Sequence, residues 1–209
     1  MNTERMELVL STIDKLGVVS VKQLHEILKL GSYRYTCQVV SKLEKDYLNT
    51  YRSKQKIVYL NGEGRQLIGS NRVVNKSTLF EHRLLTNQVF IHYNCPVSWR
   101  TEYPIEIEEK NDNTGFIKVV GLKPVIKKKI IPDAFFQRNG YTYLIEVDNT
   151  RKMIDNRKKI QKYLDVWPMI RKQYQNPKLC IFTKSEIRKK TFKEMLKYIP
   201  HEAYTFKEI

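Results

Sequence analysis

Apolar residues recur at helical intervals through the first third of the chain and in short strand-like runs through much of the rest. Met6, Leu8, Val9, Ile13 and Leu16 predict a helix over Thr3–Leu16, ended by Gly17. After the extended pair Val18-Val19, Ser20 and Gln23 form a capping-box pattern at the head of a second helix, Val21–Leu28. The turn Leu30-Gly31-Ser32 leads into a third helix, Tyr33–Tyr47. That helix carries Val39, Val40 and Leu43 inward and leaves Tyr33, Arg34, Tyr35, Thr36, Gln38, Ser41 and Lys42 outward. Two β-like runs follow, Leu48–Arg52 and Lys56–Leu60, joined by Ser53-Lys54-Gln55, and then a short helix, Glu63–Ile68.

Helix, helix, Gly-containing turn, helix and a two-stranded hairpin make the layout of a winged helix-turn-helix over residues 1–70. In that layout the third helix enters the major groove of double-stranded DNA. Arg34, Thr36 and Gln38 would then address base edges, with Lys42 beside them, while Arg52, Lys54 and Lys56 on the wing would meet phosphates. The polar stretch 71–77 reads as a linker.

A second domain is expected over 78–209. It opens with an amphipathic helix, Thr78–Tyr93, striped by Leu79, Leu84, Leu85, Val89 and Phe90 and stopped at Cys95-Pro96. Strands are predicted at Val97–Tyr103, Ile105–Glu109 and Phe116–Val120, the last two joined by the turn Asn111–Gly115. The dipeptide Asn139-Gly140 marks a hairpin between Lys129–Gln137 and Tyr141–Asp148. A helix from Thr150 to Trp167, a strand Leu179–Thr183, a helix Ser185–Tyr198 and a strand Ala203–Phe206 complete the pattern.

The chain's formal charge of +16 over 209 residues changes what this fold is for. Lys and Arg exceed Asp and Glu in both predicted domains, and a field that positive gathers polyanions, with nucleic acid the default partner. No run of about 18 apolar residues offers a membrane span. The segment Met1-Asn2-Thr3-Glu4 lacks the pattern of a leader. Cys37, Cys95 and Cys180 match neither a disulfide framework nor a zinc spacing and read as free thiols, so a cytoplasmic setting is expected.

Within this basic chain the hairpin collects carboxylates. Glu146 and Asp148 are two apart on a strand, so they share a face and can converge with Asp133 of the neighbouring strand. Three carboxylates together repel one another and any nucleic acid unless a cation, Mg2+ or Mn2+, sits among them. The tract Lys127-Lys128-Lys129 leads into the Asp133 strand. Arg151, Lys158 and Lys162 line the following helix, which makes a second DNA-facing surface.

The order helix, hairpin bearing Pro132-Asp133 and then Glu146, helix, strand resembles the PD-(D/E)XK nuclease-like core. There the Asp and Glu hold magnesium and a following Lys helps activate water. Here Asp148 stands at the Lys position. Lys159, about two turns into the next helix and leaning toward its start, is the residue placed to substitute. Beyond that core, the segments YLNGEGRQLI at 59–68, EHRLLTNQV at 81–89, IPDAFFQRNGYTYLIEVDNT at 131–150, KKIQKY at 158–163 and LCIFTKSEIRKK at 179–190 resemble, in their order, the replication-relaxation family of plasmid and integrative-element proteins. Asn149-Thr150-Arg151 departs from the Arg-Gly-Thr expected after the Glu-x-Asp.

The resemblance implies an α+β protein: a winged helix-turn-helix followed by a degenerate nuclease-like domain with a central mixed sheet. It implies a DNA-binding accessory protein of a bacterial mobile element, with relaxase or replication proteins as partners and a homodimer compatible with that role. Two rivals from other classes stand beside it. One is a Mg-dependent DNA endonuclease using Asp133, Glu146 and Asp148; the other is a transcription repressor whose second domain oligomerises.

Overall fold

The computed structural model describes residues 2–75, 79–109, 126–149 and 151–209, without the side chains of 108, 109, 126 and 127. The predicted strand Phe116–Val120 and its turn Asn111–Gly115 lie outside the described residues, as do Ser77, Thr78 and Thr150. The chain forms two compact units, one reaching Pro96 and the other spanning Val97–Glu208.

The first unit holds α1 (Thr3–Leu16), β1 (Val19–Ser20), α2 (Val21–Leu28), α3 (Tyr33–Leu43), β2 (Leu48–Arg52), β3 (Lys56–Leu60), α4 (Gly62–Leu67) and α5 (Phe80–His92). The sequence signals act where expected. Gly17 takes a positive φ and caps α1, and Ser20 and Gln23 exchange the reciprocal bonds of a capping box. Strands β2 and β3 pair antiparallel, and β1 adds to β3, giving the order β1-β3-β2. Helix α3 stops at Leu43, a turn short of the predicted Tyr47: residues 44–47 form a tighter turn in which the Asp46 amide reaches the Leu43 carbonyl three residues back at 3.3 Å and the Tyr47 amide shares that carbonyl at 2.8 Å, before the chain extends into β2.

Helix α5 belongs to this unit, although its apolar stripe reads as the start of the next. Buried Gln23 donates to the Leu84 carbonyl at 2.7 Å, and buried Asn87 donates to the Val18 carbonyl at 2.6 Å. Phe80 and Leu84 pack with Val18, Ile57 and Tyr59. The stretch 71–77 is stapled at its start: Arg72 donates to the Asp14 and Lys15 carbonyls at the end of α1, both at 2.9 Å.

Glycine contributes here by its lack of a side chain. A Cβ on Gly64 would press against the backbone oxygen of Tyr47, which already accepts the Asn61 amide at 3.0 Å, whereas a Cβ on Gly62 meets open space. Gly64→Ala is therefore expected to destabilise the protein by about 1–3 kcal/mol. Gly62→Ala should be neutral or stabilising, by up to about 1 kcal/mol. Urea unfolding of the two variants checks the contrast, and equal midpoints would refute it.

The second unit holds β4 (Arg100–Thr101), β5 (Ile105–Glu109), β6 (Ile126–Ile130), β7 (Ala134–Arg138), β8 (Tyr141–Asp148), α6 (Met153–Gln173), β9 (Pro177–Thr183), α7 (Glu186–Leu196) and β10 (His201–Thr205). Five strands form a mixed sheet in the order β10-β9-β8-β7-β4, with β8, β9 and β10 parallel to one another. Asn139 and Gly140 both have positive φ (51° and 75°), as a tight two-residue turn between β7 and β8 requires. The predicted strand Lys129–Gln137 is two strands. Pro132 has no N–H to give a ladder, so the run breaks there; β6 pairs with β5 in a separate ribbon and β7 begins after Asp133.

Helix α6 covers one face of the sheet, setting Ile160, Tyr163, Val166, Trp167 and Ile170 against Phe135, Leu144, Leu179 and Ile181. It runs past the predicted end at Trp167 to Gln173, through Pro168. Pro168 sits on the exposed side, while Trp167 and Ile170 are buried, so packing outweighs the roughly 3 kcal/mol that an interior proline costs. Cys37, Cys95 and Cys180 are free thiols.

Candidate functional site

Pairing along β8 decides where the carboxylates go. Leu144, Glu146 and Asp148 share the face covered by α6, and the parallel register sets Glu146 beside Ile181 and Asp148 beside Thr183. Asp133, held at the head of β7, accepts the Val147 amide on Oδ2 at 2.7 Å. Glu146 accepts the Tyr163 hydroxyl on Oε1 at 2.6 Å and the Lys159 ammonium on Oε2. The same ammonium lies 3.7 Å from Asp133 Oδ1. Lys159 thus returns from the helix to the carboxylates, and Tyr163, one turn on, shares its face.

Asp148 is held elsewhere. Arg188 at the start of α7 grips it with two bonds, Nε to Oδ2 at 2.5 Å and Nη2 to Oδ1 at 2.6 Å. Thr183 adds a third at 2.7 Å and Asn156 a fourth at 2.8 Å. The expected convergence of three carboxylates is instead a pair, Asp133 and Glu146, joined by Lys159, with Asp148 in a separate clamp. Among the described residues no group of three or more His, Cys, Asp and Glu is arranged to hold a metal ion. The donor set as it stands does not fit Mg2+ or Mn2+. Both Glu146 oxygens are engaged by Tyr163 and Lys159, and both Asp148 oxygens by Arg188.

Electrostatics follow the same division. Burial, and after it the negative charge of Asp133, pushes Glu146 up to about 8, against the pull of Lys159 and Tyr163. Burial and the adjoining Glu146 hold the Tyr163 hydroxyl well above the ordinary phenol range. Burial would raise Asp148, but bonds from Arg188, Thr183 and Asn156 outweigh it and hold the carboxyl below its usual value.

Beside the Lys159 cluster lies a cavity of about 290 Å³ lined by Lys129, Ile130, Ile131, Arg151, Asp155, Lys158, Lys159, Lys162 and Tyr163. Four residues expected on a second DNA surface, Lys129, Arg151, Lys158 and Lys162, therefore come together around one concavity. Lys128 stands on β6 opposite Ile107. The Lys127 side chain lies outside the described residues.

In the first unit, Ser32 caps α3 and leaves Arg34, Gln38, Ser41 and Lys42 exposed on one helix. Thr36 is a correction: it is fully buried, donating to the Ser32 carbonyl at 3.4 Å and bonded to His25 Nδ1 at 3.1 Å, so it cannot reach a base. Arg52 and Lys54 are exposed on the β2–β3 hairpin, while Lys56 turns back to form an ion pair with Glu44. Arg5 of α1, not singled out from sequence, donates to the Tyr35 hydroxyl at 2.6 Å and adds a cation beside α3. Arg188 was likewise missed. Its signal was the capped helix that follows directly on a strand, which puts its first turn near Asp148 only once β8 and β9 are known to run parallel.

The family model described as replication-relaxation matches residues 10–183. The chain belongs to the replication-relaxation family. No curated protein and no solved structure matches it. The replication-relaxation match runs from within α1 to the end of β9, taking in α3, the hairpin, Asp133, Glu146, Asp148, Lys159 and Thr183, and ends before Arg188. Among the described residues, no helix is long and apolar enough to cross a membrane.

Proposed function

We propose that this replication-relaxation protein is a sequence-specific binder of double-stranded DNA, acting as an accessory factor in the replication, relaxation or transfer of a bacterial mobile element. The observation that carries the reading is the face of α3. Arg34, Gln38 and Lys42 project from a helix whose other side is locked into the core by Thr36, Val39, Val40 and Leu43, and Arg52 and Lys54 flank it on a hairpin. This arrangement suits a winged helix-turn-helix. Arg reads guanine and Gln reads adenine in the major groove, and wing cations fix the register on phosphates. The net charge of +16 supports a polyanionic partner. The second unit is read as a nuclease-like domain that binds and does not cut. Lys159 and Arg188 engage its carboxyl groups from within, and relaxase or replication proteins are the natural partners of such a marker.

Binding of a full-length protein to its preferred duplex tests this. Arg34→Ala or Gln38→Ala should cost about 1–3 kcal/mol at the preferred site and relax base preference there. Lys54→Ala should weaken all sequences alike and reduce the salt slope by roughly 1. Lys56→Ala should do less, since Lys56 is paired with Glu44. A combined Arg34, Gln38 and Lys54 variant that binds duplex like the parent would refute the assignment. Supercoiled DNA should remain uncut with magnesium or manganese. Nicking lost in both Glu146→Gln and Lys159→Ala would replace this reading with an endonuclease.

A further inference from the structure

We propose that the cavity beside Lys159 is a pocket for the phosphorylated end of a nucleic-acid strand, and that it is filled without a divalent cation. The proposal rests on the DNA-binding reading and adds the ligand, its form and its metal independence. Three observations carry it: the charge of the walls, the size of the space and the position of Lys159.

Lys158 and Lys162 lie one turn apart on the same side of α6, Arg151 precedes the helix and Lys129 faces them from β6. Among the described residues none of these four forms a salt bridge, and Asp155 is the one carboxylate on the wall. Like charges so gathered repel one another at a cost that an anion removes. A terminal phosphate carries about −1.5 to −2 charges at neutral pH, whereas each internal linkage carries one. The walls therefore favour an end over the middle of a strand.

Size points the same way. About 290 Å³ is at the lower end of the volumes that take a small ligand, roughly 300–1,000 Å³. It accepts one nucleotide and not a length of duplex. Ile130 and half-exposed Ile131 supply an apolar side against which a sugar or base can rest. Lys159 closes the site on its acidic side. Its ammonium, fixed by Glu146 and Asp133, stands between those carboxylates and an incoming phosphate, the position a divalent ion would otherwise have to fill.

The experiment measures fluorescence anisotropy of the full-length protein with short single-stranded oligothymidylates in EDTA. The strands carry a 5′-phosphate, a 3′-phosphate or hydroxyls at both ends, with the dye always internal. One phosphorylated end should bind about tenfold tighter than the hydroxyl strand, and inorganic phosphate and thymidine monophosphate should compete only weakly. Lys158→Ala with Lys162→Ala should erase the preference, and Lys158→Arg with Lys162→Arg should keep it. Equal affinity for all three strands, or a preference that appears only on adding magnesium, would overturn the proposal. Stronger competition by the free monophosphate than by the strand end would reassign the pocket to free nucleotide. An Arg34→Ala, Gln38→Ala protein should lose duplex selectivity yet retain end preference. Intact duplex binding without end preference therefore sinks the pocket alone, and absent duplex binding in the parent sinks the broader function.

Discussion

Replacing Arg188 with Ala is expected to lower the unfolding free energy by about 3–5 kcal/mol, enough to unfold a marginal protein. Arg188 neutralises a carboxylate that is only 4 % exposed, through two bonds of 2.5 and 2.6 Å, and also donates to the Arg151 carbonyl at 2.8 Å. Without it, Asp148 stays buried with only the neutral donors Thr183 and Asn156. Removing both partners together, as Asp148→Asn with Arg188→Met, should cost less than Arg188→Ala alone, because no charge is then stranded. The pH dependence has a fixed sign. A carboxyl held below its unfolded value stabilises the fold above about pH 4 and loses that contribution as pH falls through its folded pKa. In Arg188→Ala only the Thr183 and Asn156 bonds still oppose burial, so the Asp148 carboxyl protonates more readily than in the parent and the penalty should shrink on acidification. Urea unfolding of parent and variants at pH 7 and pH 4.5 checks both points. A loss below about 1 kcal/mol at pH 7 would mean that Arg188 is dispensable, as an exposed pair would be.

Much of the framework was legible because it is local. Apolar spacing and the caps at Gly17, Ser20 and Ser32 set α1, α2 and the start of α3, and Asn139-Gly140 set the hairpin on which Glu146 and Asp148 sit. What escaped depends on partners distant in sequence. Thr36 lies on the polar side of a helical wheel, yet His25 and Ser32 bury it, and a wheel carries no record of the neighbouring helix. The stripe on α5 shows that the helix is buried and not against what; Gln23 and Asn87 decide that. Period 2 correctly put Glu146 and Asp148 on one face. It could not tell that residues on one strand, two positions apart, would be held by different cations, Glu146 by Lys159 of α6 and Asp148 by Arg188 of α7. Lys159 was within reach of sequence reasoning because helical side chains lean toward the helix start, a rule independent of tertiary detail.

Between weakly acidic and weakly alkaline pH the protein should lose stability as pH rises, and Glu146→Gln should remove most of that slope. Glu146 is 5 % exposed, and burial together with Asp133 pushes it up to about 8. A carboxyl raised on folding stabilises the fold fully below its unfolded pKa of about 4.3, and that contribution is lost as pH rises through the folded pKa. The window is therefore about pH 4.5 to 8, opposite in sign to the contribution of Asp148. Gln keeps the size of the side chain and has no proton to lose, so the variant should gain on the parent steadily as pH increases. Lys159→Ala gives the complementary result. It removes a cation that draws Glu146 down, so the slope should persist and extend further into the alkaline range. Chemical unfolding in steps from pH 5 to 9 reads all three proteins, and parallel parent and Glu146→Gln curves throughout would show that Glu146 does not titrate in this range. The titration bears on function as well. Near neutral pH a largely protonated Glu146 leaves Asp133 as the main negative charge facing Lys159, so the ammonium is left with net positive charge toward the basic cavity. Above about pH 7, where the terminal phosphate is already almost fully ionised, a further rise in pH returns the second carboxylate and should weaken binding of a phosphate there, a decline that Glu146→Gln should remove together with the slope in stability.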